Sequence, residues 1–278
     1  MRMLRYVAFS ERADGGNPAG VVFDAEGITS GRMLEIAAEV GYSETAFITE
    51  GADRTLTVRY FSPKVEVPFC GHATIATAVA FADLHGPGDL LLQTQAGPIE
   101  VSTSVTSAGL TVATLVSVPP RVEDMEAALL DELLNALHWS HADLDAALPP
   151  RVAYAGASHP IIAVRTRERL AHLSYDFPLL ATLMDRAKWT TIDLVWREND
   201  EVFHARNPFP PGGVTEDPAT GAAAAAFGGY LRALGLVALP AAVTVLQGQD
   251  MGRPSTITVS IPADPAVGIA VTGTAVRL

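Results

Sequence analysis

The stretch Glu216–Leu236, EDPATGAAAAAFGGYLRALGL, constrains this chain more than any other, because it reads as a helix that cannot stand alone in water. Pro218 fits the first turn of a helix, where a missing N–H costs nothing, and Asp217 before it suits both an N-cap and the positive end of the helix dipole. The pattern therefore predicts a helix beginning near Pro218. Ala222–Ala226 have high helix propensity, Phe227, Tyr230, Leu231 and Leu234 recur at helical spacing, and Gly235 fits the position just past the end. Alanine and glycine on several faces leave no polar stripe for solvent, so other elements are expected to wrap closely around this helix.

A second stretch has the same design. After a strand over Leu56–Phe61, the run SPKVEVPFCGHATIATAVAFADL passes from a proline-bearing loop into a helix beginning near Gly71 or His72. In both stretches a glycine-containing turn, CGHAT or ATGAA, opens a helix of small residues, Ala73–Leu84 or Ala219–Leu234. The two starts lie about half a chain apart, which predicts an internal duplication of strand-rich halves, each folded around one helix. Two unrelated helices of similar composition are the alternative.

The rest of the chain alternates short strands with tight connections. Met3–Phe9 and Gly20–Phe23 read as a hairpin across Gly15-Gly16-Asn17-Pro18, placing Asn17 on a tight turn where turn chemistry alone accounts for it. Ser30 is expected to cap a helix running to Val40 and ended by Gly41. Tyr42–Thr49 follows as a strand with Tyr42, Glu44, Ala46 and Ile48 on one face. A carboxylate in that company is either solvated near an edge or desolvated with a raised pKa, as proton-transferring carboxylates are. Three strand-like runs fill Leu90–Val118, and Pro119-Pro120 is the best linker because prolines remove backbone donors. The expected domains are 1–118 and 119–278, with the last C-terminal strand able to pack back onto the first. Beyond the linker, Met125–Leu137 and Phe177–Ala187 read as helices. Arg151–Ala155, Pro160–Arg165, Thr191–Trp196, Glu201–Arg206, Val243–Gln247, Thr256–Ile261 and Val267–Val271 read as strands. The class is α+β.

Of 278 residues, 49% are apolar, enough for a sizeable core, and the net charge of −12 argues against nucleic acid or an anionic membrane surface as partner. The single cysteine, Cys70, excludes a disulfide framework and a multi-cysteine metal site. The N-terminus lacks an apolar signal core and no run approaches the roughly 18 apolar residues of a membrane span, so a cytoplasmic protein is expected. No GxGxxG after a strand, Walker loop, HExxH or GxSxG occurs. His138 and His141 could share a helix face but have no third ligand nearby, so no metal site is expected. His85, His159, His172 and His204 stand alone. His72 lies in the first turn of a predicted helix behind Cys70 and Gly71; packing alone accounts for both side chains, although a helix N-terminus can make a thiol reactive.

The pieces GNPAGVV (16–22), SETAFI (43–48), RYFSPKVEVPFCGHAT (59–74), EDPATGAAA (216–224) and QGQDMGRPS (247–255) resemble the PhzF-like family of phenazine biosynthesis, which has the diaminopimelate-epimerase fold. The resemblance runs from end to end. It implies two similar α+β domains, each a β-barrel-like sheet wrapped around a central helix, with the active site in the cleft between them. It makes Glu44 the proton-transferring acid/base, His72 its partner at the first helix and Asp217 the acidic residue at the second. Gly71, with Ala73 beside it, and the Gly221-Ala222 turn match backbone that grips a substrate carboxylate, and Asn17 falls where the wider fold places a substrate-contacting asparagine. The chain departs from the phenazine enzyme's pattern at Ala73, where proline is usual, and at Ala222, where serine is common. The lost hydroxyl weakens the case for the phenazine precursor as substrate. Cys70 lacks a cysteine partner, which excludes a two-thiol epimerase.

These readings lead to a cofactor-independent isomerase that moves a proton between carbons of a small anionic carboxylate, with helix N-termini holding the carboxylate and the developing enolate-like charge. A racemase or epimerase with unlike bases, Glu44 and either Cys70 or Asp217, is the nearest rival, and a non-catalytic carboxylate-binding protein on the same scaffold is another. Fold relatives make a homodimer a reasonable expectation.

Overall fold

The computed structural model describes residues 1–52 and 54–278. In chain order the elements are β1 (Arg2–Ala8), β2 (Asn17–Phe23), α1 (Ser30–Val40), β3 (Glu44–Ala52), β4 (Thr55–Phe61), β5 (Glu66–Val67), α2 (Gly71–His85), β6 (Gly88–Thr94), β7 (Gly97–Val105), β8 (Thr111–Val116) and β9 (Arg121–Asp124). Then come α3 (Ala127–Leu137), β10 (Arg151–Tyr154), β11 (Ser158–Ala163), α4 (Arg167–Ala171), α5 (Phe177–Ala187), β12 (Asp193–Arg197), β13 (Val202–Pro208), β14 (Glu216–Asp217), α6 (Gly221–Ala233), β15 (Ala241–Gln247), β16 (Ser255–Ile261) and β17 (Ala270–Arg277). The protein is α+β. The chain forms two compact units, Met1–Val116 with Thr272–Leu278, and Ser117–Val271. Among the described residues no helix is long and apolar enough to cross a membrane.

The first unit is a closed eight-stranded barrel. Its strands pair in the cycle β1, β2, β3, β4, β6, β7, β8, β17 and back to β1, with β2–β3 and β4–β6 parallel and the other registered neighbours antiparallel. Through the middle runs α2, with ten of its 15 residues buried, His72 to Ala80 and Ala82. Small side chains on every side let the strands close on it, which is why no single apolar stripe marks it in sequence. Outside the barrel, α1 lays Met33, Ile36, Ala37 and Val40 against Val22, Phe47 and Phe61. Phe47 therefore faces outward and Ala46 inward, and Glu44 shares the inward face with Ala46 by strand alternation.

The second unit repeats the arrangement. Strands β9, β10, β11, β12, β13, β15 and β16 pair in that order, with β11–β12 and β13–β15 parallel as β2–β3 and β4–β6 are in the first unit. Buried α6 takes the place of α2, and α3 and α5 cover the outer face with Leu133, Leu137, Leu180 and Leu183 against Ile162 and Leu194. Two glycines in α6 mark close approach: a Cβ on Gly228 would meet Val259 and Ile269 side chains at 2.8 Å, and one on Gly229 would meet Pro120 at 2.4 Å.

The registers align the halves residue by residue. Phe61 opposes Glu66 across β4–β5, and Pro208 opposes Glu216 across β13–β14. Arg59 and Arg206, each two residues earlier, reach those glutamates with two hydrogen bonds apiece. On this frame Cys70 corresponds to Thr220, Gly71 to Gly221 and His72 to Ala222. The position of Glu44 is held by Thr191, and that of Asp217 by Val67. The scaffold is duplicated while the chemistry has diverged.

Several local expectations change. The helix begins at Gly221, not near Pro218, because Glu216–Asp217 pair with Asn207-Pro208 as a short strand and Thr220 is the N-cap residue. Asn17 is not on the turn but opens β2 opposite Ala8. Gly16 makes the turn instead, with φ +58° and no room for a Cβ, which would sit 2.3 Å from Val7 Cγ1. Thr29, not Ser30, caps α1 by accepting from Arg32 N–H. The last strand is Ala270–Arg277 rather than Val267–Val271, because it pairs with both β8 and β1, the latter over Ala275–Arg277.

Candidate active site

In the first unit, Glu44 opens β3 beside Ala19 of the parallel strand β2, and Asn17 lies two residues before Ala19 on the same strand face. The first turn of α2 brings His72 to both. Glu44 Oε2 lies 3.5 Å from His72 Nε2, with the glutamate side chain 15% exposed and the imidazole 6%. Asn17 Nδ2 donates to His72 Nδ1 at 3.1 Å. An amide nitrogen can only donate, so Nδ1 carries the lone pair and the ring proton sits on Nε2, on the side of Glu44 and of Ser43 Oγ at 3.4 Å. Cys70 Sγ is 3.4 Å from Nδ1 and 3.9 Å from Nε2.

The start of α2 is pinned from beneath. Thr74 Oγ1 donates to the Cys70 carbonyl at 2.8 Å and lies 2.6 Å from the Tyr60 hydroxyl. Burial pushes the Tyr60 phenol up, so it stays neutral. The Cys70 side chain makes no capping bond to the first turn. The leading N–H groups, Gly71 among them, have no intrahelical acceptors and suit an anion. Ala73 is fully buried, its backbone included.

In the second unit Asp217, Gly221 and Ala222 gather at the start of α6. Asp217 Oδ2 accepts from Thr220 Oγ1 at 2.6 Å. Gln247 staples the segment: Nε2 donates to the Asp217 carbonyl at 2.7 Å and to Thr220 Oγ1 at 3.0 Å, while Oε1 accepts from Thr220 N–H at 3.0 Å. Ser255 Oγ donates to the Pro218 carbonyl at 2.9 Å. Behind β14 runs a buried polar chain. His159 Nδ1 donates to Thr191 Oγ1 at 2.9 Å, Thr191 donates to Asn207 Oδ1 at 2.7 Å, and Asn207 Nδ2 donates to Asp193 Oδ1 at 3.0 Å. Asn207 is the register partner of Asp217. Burial pushes the Asp193 carboxyl up to about 7 and His159 down to about 4.

Within each unit, then, the residues singled out from sequence assemble: Asn17, Glu44, Cys70, Gly71, His72 and Ala73 in the first, Asp217, Gly221 and Ala222 in the second. Sequence reasoning passed over Ser43, Gln247 and Ser255, although all three lie inside the motif pieces SETAFI and QGQDMGRPS. Each is an ordinary polar residue, and only its partner across the fold gives it a task.

A closed barrel around a buried helix with a carboxylate against an imidazole at that helix's start, and a second unit that repeats the strand order around its own buried helix, define a diaminopimelate-epimerase-like α+β protein. The model of the phenazine biosynthesis-like proteins, PhzC-PhzF, matches residues 6–278, and the chain belongs to that family. It is similar to the uncharacterized isomerase YddE of Escherichia coli (strain K12), at 32% identity over 98% of this chain and 94% of the relative. It is 29% identical to the trans-2,3-dihydro-3-hydroxyanthranilate isomerase of Pseudomonas chlororaphis, over 89% of this chain and 86% of that protein. The crystal structure of the Bacillus anthracis phenazine biosynthesis protein of the PhzF family superposes with a TM-score of 0.89 at 26% identity, covering 100% of this chain and 98% of that one. The protein is a PhzF-type isomerase, and a purely binding role on this scaffold gives way to an enzymatic one.

Proposed function

We propose that this isomerase moves a proton between two carbons of a small carboxylic acid without a cofactor, with Glu44 as the acid/base. The observation that carries this is the Glu44 carboxylate 3.5 Å from His72 Nε2, both largely buried, at the first turn of α2. Leading N–H groups of α2 receive the substrate carboxylate and stabilise the negative charge that spreads into it as the C–H proton leaves. Glu44 takes that proton and returns it to the neighbouring carbon; His72, its Nε2 proton directed by Asn17, orients the ligand. Asp217 keeps the role its motif suggests, a second acid oriented by Thr220. The chemistry is proton transfer alone and needs no redox partner. The Pseudomonas chlororaphis relative, named for a dihydro-hydroxyanthranilate, suggests a cyclic acid, while Ala222 leaves the exact ring open to a form needing one donor fewer.

Epimerisation with Glu44 and Cys70 as opposed bases is disfavoured by their spacing. Two bases flanking one carbon each stand about 3 Å from it, hence roughly 6 Å or more apart, whereas the ligand atoms of Glu44, Cys70 and His72 all lie within 4.8 Å of one another. The test is a screen of cyclic and acyclic carboxylic acids for proton–deuteron exchange in heavy water, with Glu44→Gln as control. Wild-type turnover by Glu44→Gln on an identified substrate would sink the assignment.

A further inference from the structure

We infer that Glu44, Cys70 and His72 form a binding site for one thiophilic divalent cation, with Zn²⁺ as its type, and that an ion held there shuts the isomerase off. The three side chains offer a carboxylate oxygen, a sulfur and an imidazole nitrogen, all within 4.8 Å of one another. A tetrahedral ion with bonds of about 2.3 Å to sulfur and about 2.0–2.1 Å to nitrogen and oxygen sets N and O roughly 3.3 Å apart and S and N roughly 3.6 Å apart. The observed separations are 3.5 Å for Glu44 Oε2 to His72 Nε2 and 3.9 Å for Cys70 Sγ to Nε2. The third pair, Cys70 Sγ and the Glu44 carboxylate, is held to within 4.8 Å where the ion needs roughly 3.6 Å, so side-chain rotation that closes this pair by up to about 1.2 Å and the other two by a few tenths completes three ligands and leaves a fourth position for water.

Two features favour capture. The ligands stand on rigid supports, the first residue of a barrel strand and the start of the central helix. The chain's charge of −12 also attracts cations. Coordination has a definite proton balance. The thiol releases its proton to solvent as sulfur bonds to the ion, and the ring proton shifts from Nε2 to Nδ1 so that the Nε2 lone pair can bind. The Asn17 amide, now a donor to Nδ1, turns to accept from it, as partners of metal-bound histidines do. Hard cations such as Mg²⁺, which prefer all-oxygen ligands, should be excluded. Other histidine–carboxylate pairs, His141–Asp131 and His204–Glu198, offer two such ligands each.

Calorimetric titration of the whole chain with ZnCl₂ in excess Mg²⁺, without substrate, should give one ion per chain, binding more tightly as pH rises because the thiol must deprotonate. Cobalt(II) should give a near-ultraviolet thiolate charge-transfer band. Cys70→Ser should abolish that band and weaken Zn²⁺ at least about tenfold, and His141→Asn should leave binding unchanged. Should Cys70→Ser fail to fold, Glu44→Gln should weaken binding similarly. No saturable binding, no thiolate band, or Zn²⁺ binding untouched by both variants would overturn the site. Only the inhibition rests on the proposed role of Glu44. Failure of binding leaves that role standing, and an active Glu44→Gln enzyme leaves the ion site standing.

Discussion

Gln247 and Thr220 exchange hydrogen bonds in both directions, the amide nitrogen to the threonine hydroxyl and the threonine N–H to the amide oxygen, each at 3.0 Å. The same amide nitrogen also reaches the Asp217 carbonyl, so one fully buried side chain holds the whole entry to α6. Gln247→Leu keeps the volume and leaves those partners unsatisfied. The expected loss is about 1–3 kcal/mol, read as a lower urea midpoint, with turnover falling more than stability because Asp217 loses its setting. Unchanged turnover in a destabilised variant would remove Asp217 from the reaction.

Asn17 sets the proton of His72 on Nε2. Histidine nitrogen chemical shifts should report that tautomer at neutral pH. Asn17→Ala should mix the two forms and lower turnover about 10–100-fold, the usual scale for losing a partner that orients an imidazole. A spectrum dominated by Nδ1–H in the wild type would refute the assignment.

The two arginine–glutamate pairs occupy equivalent positions but differ in burial. Side-chain exposure is 10% and 6% for Arg206 and Glu216, against 27% and 20% for Arg59 and Glu66. Breaking the deeper pair with Glu216→Gln strands a buried guanidinium and should cost roughly 3–5 kcal/mol. Glu66→Gln should cost about 1 kcal/mol, and salt should weaken that pair more. Thermal unfolding of the two variants side by side checks the order, and equal losses would contradict it.

Asp193 and His159 act on stability with opposite signs. Folding raises Asp193 from 3.8 to about 7, so the native state keeps a proton that the unfolded chain releases, and stability falls as pH climbs from about 4 to 7. Folding lowers His159 from 6.5 to about 4, so the unfolded chain binds the extra proton and stability rises with pH between about 4 and 6.5. In the wild type the two slopes nearly cancel. Asp193→Asn should expose the histidine slope, a urea midpoint that climbs between pH 4 and 6.5, up to about 1.4 kcal/mol per pH unit. A flat profile in that variant would disprove the account.

The sequence carried much of this on its own. Helices packed on all sides must be small, so Ala73–Ala82 and Ala222–Ala226 announced the buried centres of both halves, and two matching proline–glycine entries announced the repeat. Motif position singled out Glu44, His72 and Asp217. What it could not supply were relations between distant backbones. Asp217 looked like a helix cap because aspartate before proline usually is one; pairing with Asn207 made it a strand residue instead, a bond between segments that local propensity cannot weigh. Asn17 looked like part of a turn, and the barrel made it the residue that orients His72.

Closure was decided in the same way, since β17 joins β1 and β8 from the far end of the chain. Local side-chain size and spacing thus determined which segments are buried helices and which residues carry charge toward them. Only the tertiary fold decided that the face Glu44 shares with Ala46 turns inward, which ring nitrogen holds the proton and which amide staples Thr220. Those depend on strand register, and register is set by many weak pairings at once rather than by any one stretch of sequence.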